Sequence, residues 1–277
     1  MTNEQDSVVA LEAFNIMISG IVKLWPTATL ATEHGFDVRW SGSGVKMSAL
    51  NISFKKSAVH TLDELRDSFE YLRQKYTELD TDHTGGAAVI EIGSLLEQGI
   101  PRETIKEIAS RYGFGVALND AMRNKSSLPF KAIDTKDLNI QKATSAEELR
   151  EIYRILIGMY GRPFNDVLDW SPAMRYWETV YSYVGYVDGI VVTTASTIVH
   201  EGKVFVGFVA TRPDFARQGY ATAITKYAMQ KAHEATGATV SLLHASGMGN
   251  PVYKKMGFNT IGVAAFSAFI PVTSESN

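Results

Sequence analysis

Two segments of this chain hold residues of chemical use at short, fixed spacings. The first is 203–225, KVFVGFVATRPDFARQGYATAIT, where an apolar strand pattern runs through a polar loop into a helix pattern. The first turn of that helix contains Gly219 and Ala221. A helix N-terminus offers unpaired backbone N–H groups and the positive end of the helix dipole, so it suits an anion. Glycine at 219 lets backbone approach a phosphate closely, and Arg212 and Arg217 add positive charge. The second segment is 244–258, HASGMGNPVYKKMGF, with Tyr253 on a short helix and Gly257-Phe258 following it. His244 at its start carries an imidazole whose ordinary pKa, near ~6.5, suits proton abstraction. Plainer readings stand beside these: a structural glycine at a strand-to-helix turn, a core tyrosine before a glycine C-cap, and a histidine bonded to backbone.

Composition narrows the chemistry. The 277 residues include no cysteine. That removes disulfides, thiolate zinc sites, cysteine nucleophiles and cysteine-ligated iron–sulfur clusters. His34, His60, His83 and His233 are scattered without metal-ligand spacing, and no metal is expected. With 27 Lys+Arg against 30 Asp+Glu the net charge is -3, which argues against nucleic acid as a partner. At 45% hydrophobic and 21% charged residues the chain is globular, not disordered. The opening segment MTNEQDSVVALEAFNIMISG has acids where a signal peptide needs basic residues, and Glu12 and Asn15 interrupt its apolar run. The expectation is a cytoplasmic protein with no membrane partner.

The elements that must position these residues follow from periodicity and turn signals. The length suggests two small domains or one large one. In the first half the spacing predicts helices over 7–24, from Thr61-Leu62-Asp63-Glu64 to about Tyr76, and from Pro101 to Gly113, and strands over 36–40, 45–54, 86–93 and 114–122. A polar stretch, 123–137, reads as a linker. The second half predicts a strand at 138–144, a helix to about Tyr160, a helix at about 172–181, and strands at 182–188, 190–200 and 203–211. Asp188-Gly189 and Glu201-Gly202 are hairpin turns between them. A helix over 218–236, a strand over 238–245, a short helix over 249–256 and a strand over 258–270 complete the chain.

In this order and spacing, the two segments resemble the GNAT superfamily of acyl-CoA-dependent N-acyltransferases. The resemblance covers about 138–270. The family's phosphate signature is Arg or Gln, two residues, Gly, one residue, then Gly or Ala; here it reads Ala216-Arg217-Gln218-Gly219-Tyr220-Ala221, with Ala216 departing from the pattern. The family's later pattern of Asn or Ser, Tyr, and Gly-Phe is filled by Ser246, Tyr253, Gly257 and Phe258. The resemblance implies an α/β (α+β) fold, with a mixed, mostly antiparallel sheet flanked by helices. It places a catalytic domain at 138–272 after a degenerate GNAT-like domain at 1–130. That first half ends like its counterparts, at Gly113-Phe114 and Met122, and shows no equivalent of the Gly219–Ala221 turn.

The resemblance also implies acetyl-CoA, or another acyl-CoA, as co-substrate. Backbone N–H groups of the strand 206–211 would polarise the thioester carbonyl, and Val209, Ala210, Thr211, Arg217, Gln218, Gly219, Tyr220, Ala221, Thr222, Ser246, Asn250 and Tyr253 would bind the cofactor. Tyr253 would protonate the departing thiolate. The strand before the phosphate loop, VFVGFVAT, lacks the Glu the family often uses as base, and His244 is the substitute. The acceptor would be a small-molecule or peptide amine in a pocket built from 160–186, which carries Tyr160, Phe164, Trp170, Tyr176 and Trp177 with Asp166, Asp169 and Glu178; these aromatics read equally as packing between the halves. A homodimer is allowed. A second reading is a sensor or scaffold that binds acyl-CoA without turning it over. A third, a pure interaction protein, leaves the Gly219 and Tyr253 segments unexplained.

Overall fold

The chain opens on a helix that caps itself. Thr2 Oγ1 accepts from the Gln5 N–H at 3.2 Å, and the Gln5 side chain accepts from the Thr2 N–H at 2.8 Å. This capping box starts α1 (Asn3–Val22). The computed structural model describes residues 2–23, 25–42, 50–79, 85–125, 128–159, 164 and 180–269. The strand residues expected at 45–49 and the helix expected at about 172–181 lie outside them. α1 is long and apolar enough to cross a membrane, yet 67% of that stretch is buried inside the protein. Its apolar residues serve a core.

The chain divides into two compact units, 1–121 with 245–247 and 260–277, and 122–244 with 248–259. In the first, β1 (Thr29–Glu33), β2 (Phe36–Trp40) and β3 (Asn51–Lys55) form an antiparallel run. α2 (Leu62–Leu79) then returns the chain to β4 (Ala87–Glu91), which pairs parallel to β3. Leu65, Phe69, Leu72 and Tyr76 repeat at helical spacing on α2 and are fully buried. α3 (Gly93–Glu97), α4 (Arg102–Arg111) and β5 (Phe114–Asn124) follow. Neither β1 nor α3 is marked by sequence pattern. β1 is an exposed edge strand, and α3 is a single turn.

The second unit repeats the plan. β6 (Asn139–Lys142), β7 (Tyr181–Val187), β8 (Ile190–His200) and β9 (Lys203–Thr211) pair antiparallel in that order. α5 (Ala146–Met159) packs on β8 and β9, and α6 (Tyr220–Thr236) on β7, β8 and β9. α6 leads to β10 (Val240–Ala245), parallel to β9. The two hairpins turn at Asp188-Gly189 and Glu201-Gly202, with φ +50°, +78°, +46° and +69°. Left-handed conformations at both central residues match the strand twist. α7 (Asn250–Lys255) and β11 (Asn259–Phe269) end the described chain.

β11, which the resemblance groups with 138–272, is hydrogen-bonded antiparallel to β4 of the first unit, with Ala264 beside Glu91 and Ala268 beside Ala87. Its alternating Val263 and Ala265 join Ile90, Ile92 and Phe114 in that unit's core. Alternation tells which side chains of a strand point inward, but not which strand lies beside it.

Glu91 sits at that junction, 2% exposed. Its carboxylate accepts from Ser7 Oγ at 2.7 Å and from the Gly93 N–H at 2.9 Å. Glycine is required around it. A Cβ on Gly262 would fall 2.6 Å from Ser7 Oγ, and one on Gly93 2.6 Å from Glu91 Oε1. Burial pushes the Glu91 pKa up from 4.5 to about 7, against the pull of the Ser7, Gly93 and Val263 donors. Folding therefore favours the protonated carboxyl. That stabilisation is complete below pH ~4.5 and is lost as pH rises through ~7, a span of about 3 kcal/mol. Urea midpoints of the wild type should fall over this window relative to Glu91→Gln. Parallel pH curves for the two proteins would remove Glu91 as the titrating group.

Candidate functional site

The strand–turn–helix from β9 to α6 carries the first segment singled out by sequence. β9 does not run straight. Thr194 pairs with Ala210 and Ser196 with Gly207, so Phe208 and Val209 together face Ala195 alone. This is a β-bulge, and within it Phe208 takes a left-handed φ of +50°. Two side chains hold it. Thr194 Oγ1 donates to the Phe208 carbonyl at 2.9 Å, and the Phe208 ring packs on Tyr153 of α5, centroids 5.4 Å apart. Beyond the bulge, Thr193 Oγ1 donates to the Ala210 carbonyl at 2.9 Å and meets Thr211 Oγ1 at 2.8 Å.

On its other edge β9 pairs with β10 only from Lys203 beside Val240 to Val206 beside Leu243. The ladder stops one residue before the bulge begins to turn the strand. Among the described residues no strand pairs with that edge over 207–211, so its alternate N–H and C=O groups have no ladder partner there. This region includes Val209, Ala210 and Thr211. Such unpaired N–H groups are the donors an acyl oxygen needs as charge develops on it. Gly207 inside an otherwise apolar strand is the sequence signal for the bulge.

The turn into α6 is built to leave its N-terminus open. The Arg212 N–H donates to the Val192 carbonyl at 2.8 Å, anchoring the loop, and a 3-10 turn over Pro213–Phe215 follows. Arg217 has φ +64° and Gly219 φ +90°. The first helical bond runs from the Ala223 N–H to the Gly219 carbonyl at 3.0 Å, so the N–H groups of Tyr220, Ala221 and Thr222 precede the intrahelical ladder. Gly219 supplies no capping side chain, and the first turn holds no acid. Residues 216–219 are exposed, whereas Tyr220 is buried with Leu138, Val192 and Ala223 and pins the helix start.

The equivalent turn in the first unit is closed. Thr61 Oγ1 accepts from the Glu64 N–H at 3.1 Å, and the Glu64 carboxylate accepts from the His60 N–H at 2.8 Å. Asp63 and Glu64 place negative charge in the first turn of α2. That helix end meets its own donors and repels an anion, while the start of α6 invites one.

The second segment forms the end of β10 and α7. His244 is the first β10 residue past the β9 pairing, and its ring stands edge-on to Phe205, centroids 5.7 Å apart. Burial lowers its pKa from 6.5 to about 4, so the imidazole is neutral at pH 7. Tyr253 on α7 is 9% exposed, with its ring against Phe258 at 5.9 Å. The Phe258 N–H donates to the Tyr253 carbonyl at 3.0 Å, and Gly257 takes φ +90°, a glycine-closed helix end. Asn124 Nδ2 donates to the Met256 carbonyl at 2.9 Å and braces the same turn. Asn250 lies on α7 with Nδ2 4.0 Å from Met122 Sδ.

Of the residues expected to form a site, 209–211 and 217–222 are thus continuous through one strand–turn–helix, with His244 on the strand next to it. Tyr253 and Asn250 share α7. Ser246 stands between β10 and α7, in the short stretch 245–247 that clusters with the first unit. Tyr160, Asp166, Asp169, Trp170, Tyr176, Trp177 and Glu178 lie outside the described residues. Phe164 is described, and the Arg154 guanidinium lies 5.6 Å from its ring centroid.

Residues 139–261 match the family model of the acetyltransferase (GNAT) domain. No curated protein matches the chain significantly. Among solved structures, a GCN5-related N-acetyltransferase from Kribbella flavida aligns at TM-score 0.58 and 16% identity, over 94% of this chain and 96% of its own. A conserved protein of unknown function from Staphylococcus epidermidis aligns at TM-score 0.56 and 14% identity, over 90% and 97%. A GNAT-family protein from Novosphingobium aromaticivorans aligns at TM-score 0.51 and 13% identity, over 88% and 92%. At these identities the likeness is one of fold, and it extends over both halves of the chain. Residues 139–261, with their open helix start, thus match the GNAT acetyltransferase domain, and the chain shares its fold with GCN5-related N-acetyltransferases.

Proposed function

We propose that the protein is an N-acyltransferase that moves an acetyl or short acyl group from acyl-CoA to an amine by direct attack in a ternary complex. The observation that carries this reading is the uncapped, glycine-opened start of α6, joined without interruption to the stretch of β9 that has parted from β10. The first suits a diphosphate and the second a thioester carbonyl. Because the gap and the helix start are one continuous piece of chain, they suit the two ends of one extended cofactor.

In this mechanism the amine nitrogen attacks the thioester carbon, the oxyanion is met by β9 N–H groups, and the carbon–sulfur bond breaks. Tyr253 gives its phenolic proton to the leaving sulfur. His244 takes a proton from nitrogen. With a pKa near 4 it is too weak to deprotonate a free alkylammonium, whose pKa is near ~10. It therefore acts on the far more acidic ammonium of the tetrahedral adduct, after a neutral amine has attacked.

A second reading, a sensor that binds acyl-CoA without transfer, is favoured by one observation: β9, KVFVGFVAT, contains no acid. Calorimetric titration with acetyl-CoA and desulfo-CoA, followed by thiol release across a panel of amines and peptides, separates the readings. Micromolar binding with amine-dependent thiol release is expected. Binding without release from any amine would favour the sensor, and no binding of either ligand would sink both.

A further inference from the structure

The segment that leads into β6 folds against the start of α6. Leu138 packs with Tyr220, Ala223 and Val192, and the Asp137 carboxylate accepts a hydrogen bond from the Tyr220 hydroxyl, raising the phenol's pKa. These two residues have a structural task. Lys136, between Asp134 and the helix, has none that the fold explains. Its backbone takes a left-handed φ of +60°, an unfavourable conformation for a residue with a Cβ. Its stem crosses Gly219, where an added Cβ would lie 3.3 Å from Lys136 Cε. Its ammonium therefore stays close to the N-terminal end of α6, although a cation there opposes the helix dipole. Asp134 offsets this charge. Asp134 Oδ1 accepts the Lys136 N–H at 3.0 Å, and Oδ2 pairs with the ammonium. Both side chains are exposed, at 43% and 70%, so the pair itself contributes little to stability.

A strained backbone that holds a cation at the positive end of a helix makes sense once an anion sits between them. We propose that Lys136 is a ligand of the diphosphate bridge of acyl-CoA, kept in place by Asp134 until the cofactor arrives. The proposal rests on the reading of 217–222 as the diphosphate site. The gap left by Gly219 gives the ammonium and the helix N–H groups access to the same phosphate oxygens. The ammonium then exchanges one exposed carboxylate for a bridge of two negative charges.

The test is titration of desulfo-CoA and of 3′-dephospho-CoA into the wild type, Lys136→Ala, Lys136→Arg and Asp134→Ala. Lys136→Ala should weaken both ligands by about ten-fold and flatten the dependence of affinity on ionic strength, since one charge contact is gone. Lys136→Arg should restore affinity to within about two-fold, and Asp134→Ala should tighten binding. Unfolding of the ligand-free proteins should be unchanged, which separates a lost ligand from a damaged loop. Wild-type affinity in Lys136→Ala overturns the proposal and leaves the site reading intact. A loss seen with desulfo-CoA but absent with 3′-dephospho-CoA also overturns it, because the contact would then be to the 3′-phosphate. No binding by the wild type removes the diphosphate site and this proposal with it.

Discussion

Gly219→Glu is expected to weaken acyl-CoA binding by at least about 100-fold while the protein still folds. Three effects meet at this position. The backbone there has φ +90°, so any side chain costs about 1–2 kcal/mol of strain. Steric crowding is small, because the nearest atom to an added Cβ is Lys136 Cε at 3.3 Å, the far part of a flexible side chain. Charge is decisive. A carboxylate at the N-cap would satisfy the N–H groups of Tyr220–Thr222 and pair with Lys136, filling the site with the protein's own anion. α2 likewise meets its own first-turn donors, through Thr61 Oγ1 and the Glu64 carboxylate. Gly219→Ala carries the strain alone, and Gly219→Gln adds bulk without charge. Both should bind about ten-fold more tightly than Gly219→Glu; in urea the strain should destabilise Gly219→Ala and Gly219→Gln alike, and Gly219→Glu less, because its carboxylate caps the helix. Calorimetry with desulfo-CoA reads the affinities. Equal affinities for the Glu and Gln variants would mean that phosphate binds elsewhere.

The contrast between α2 and α6 also explains how one architecture serves two purposes. Each unit has an antiparallel run, a helical crossover and a parallel strand. Among the described residues, only in the second does the strand before the helix carry a bulge and the helix start with an uncapped glycine. The sequence shows this difference directly, since Thr-Leu-Asp-Glu at 61–64 caps a helix and Gln-Gly-Tyr-Ala at 218–221 does not. Hairpins at Asp188-Gly189 and Glu201-Gly202, α6 with its glycine C-cap, and the Gly257-Phe258 closure of α7 are legible for the same reason: each is decided by residues within a few positions.

What local pattern does not carry is pairing between distant segments. Glu91 reads as a strand-end acid, and only its juxtaposition with Ser7, Gly93 and Val263 turns it into a buried carboxyl. Phe208 reads as one more apolar strand residue, although its carbonyl is held by Thr194 on another strand. Lys136 lies in a stretch that reads as linker, and its place beside Gly219 depends on Leu138 entering the α6 core. His244 was legible as a candidate base, but its depressed pKa comes from burial, which spacing does not report.

Tyr253→Phe should lower kcat by about 100-fold at pH 7 and leave the affinity for acyl-CoA within about two-fold, as expected for losing a general acid. The ring contact with Phe258 and the main-chain closure of α7 survive in the variant, so the unfolding midpoint should hold. The size of the defect must itself depend on pH. A thiol has an ordinary pKa near ~8.5, so its thiolate can depart unprotonated more readily as pH rises. The gap between wild type and variant should therefore narrow between pH 7 and pH 9, whereas a defect in cofactor positioning would stay constant. His244 does not mask this trend, because at about 4 its titration lies well below the range. Stopped-flow thiol release over that pH range, with cofactor saturating, isolates the step. An unchanged kcat at pH 7 would remove Tyr253 from proton transfer. A defect that is equal at both pH values would make it a positioning residue for the pantetheine sulfur.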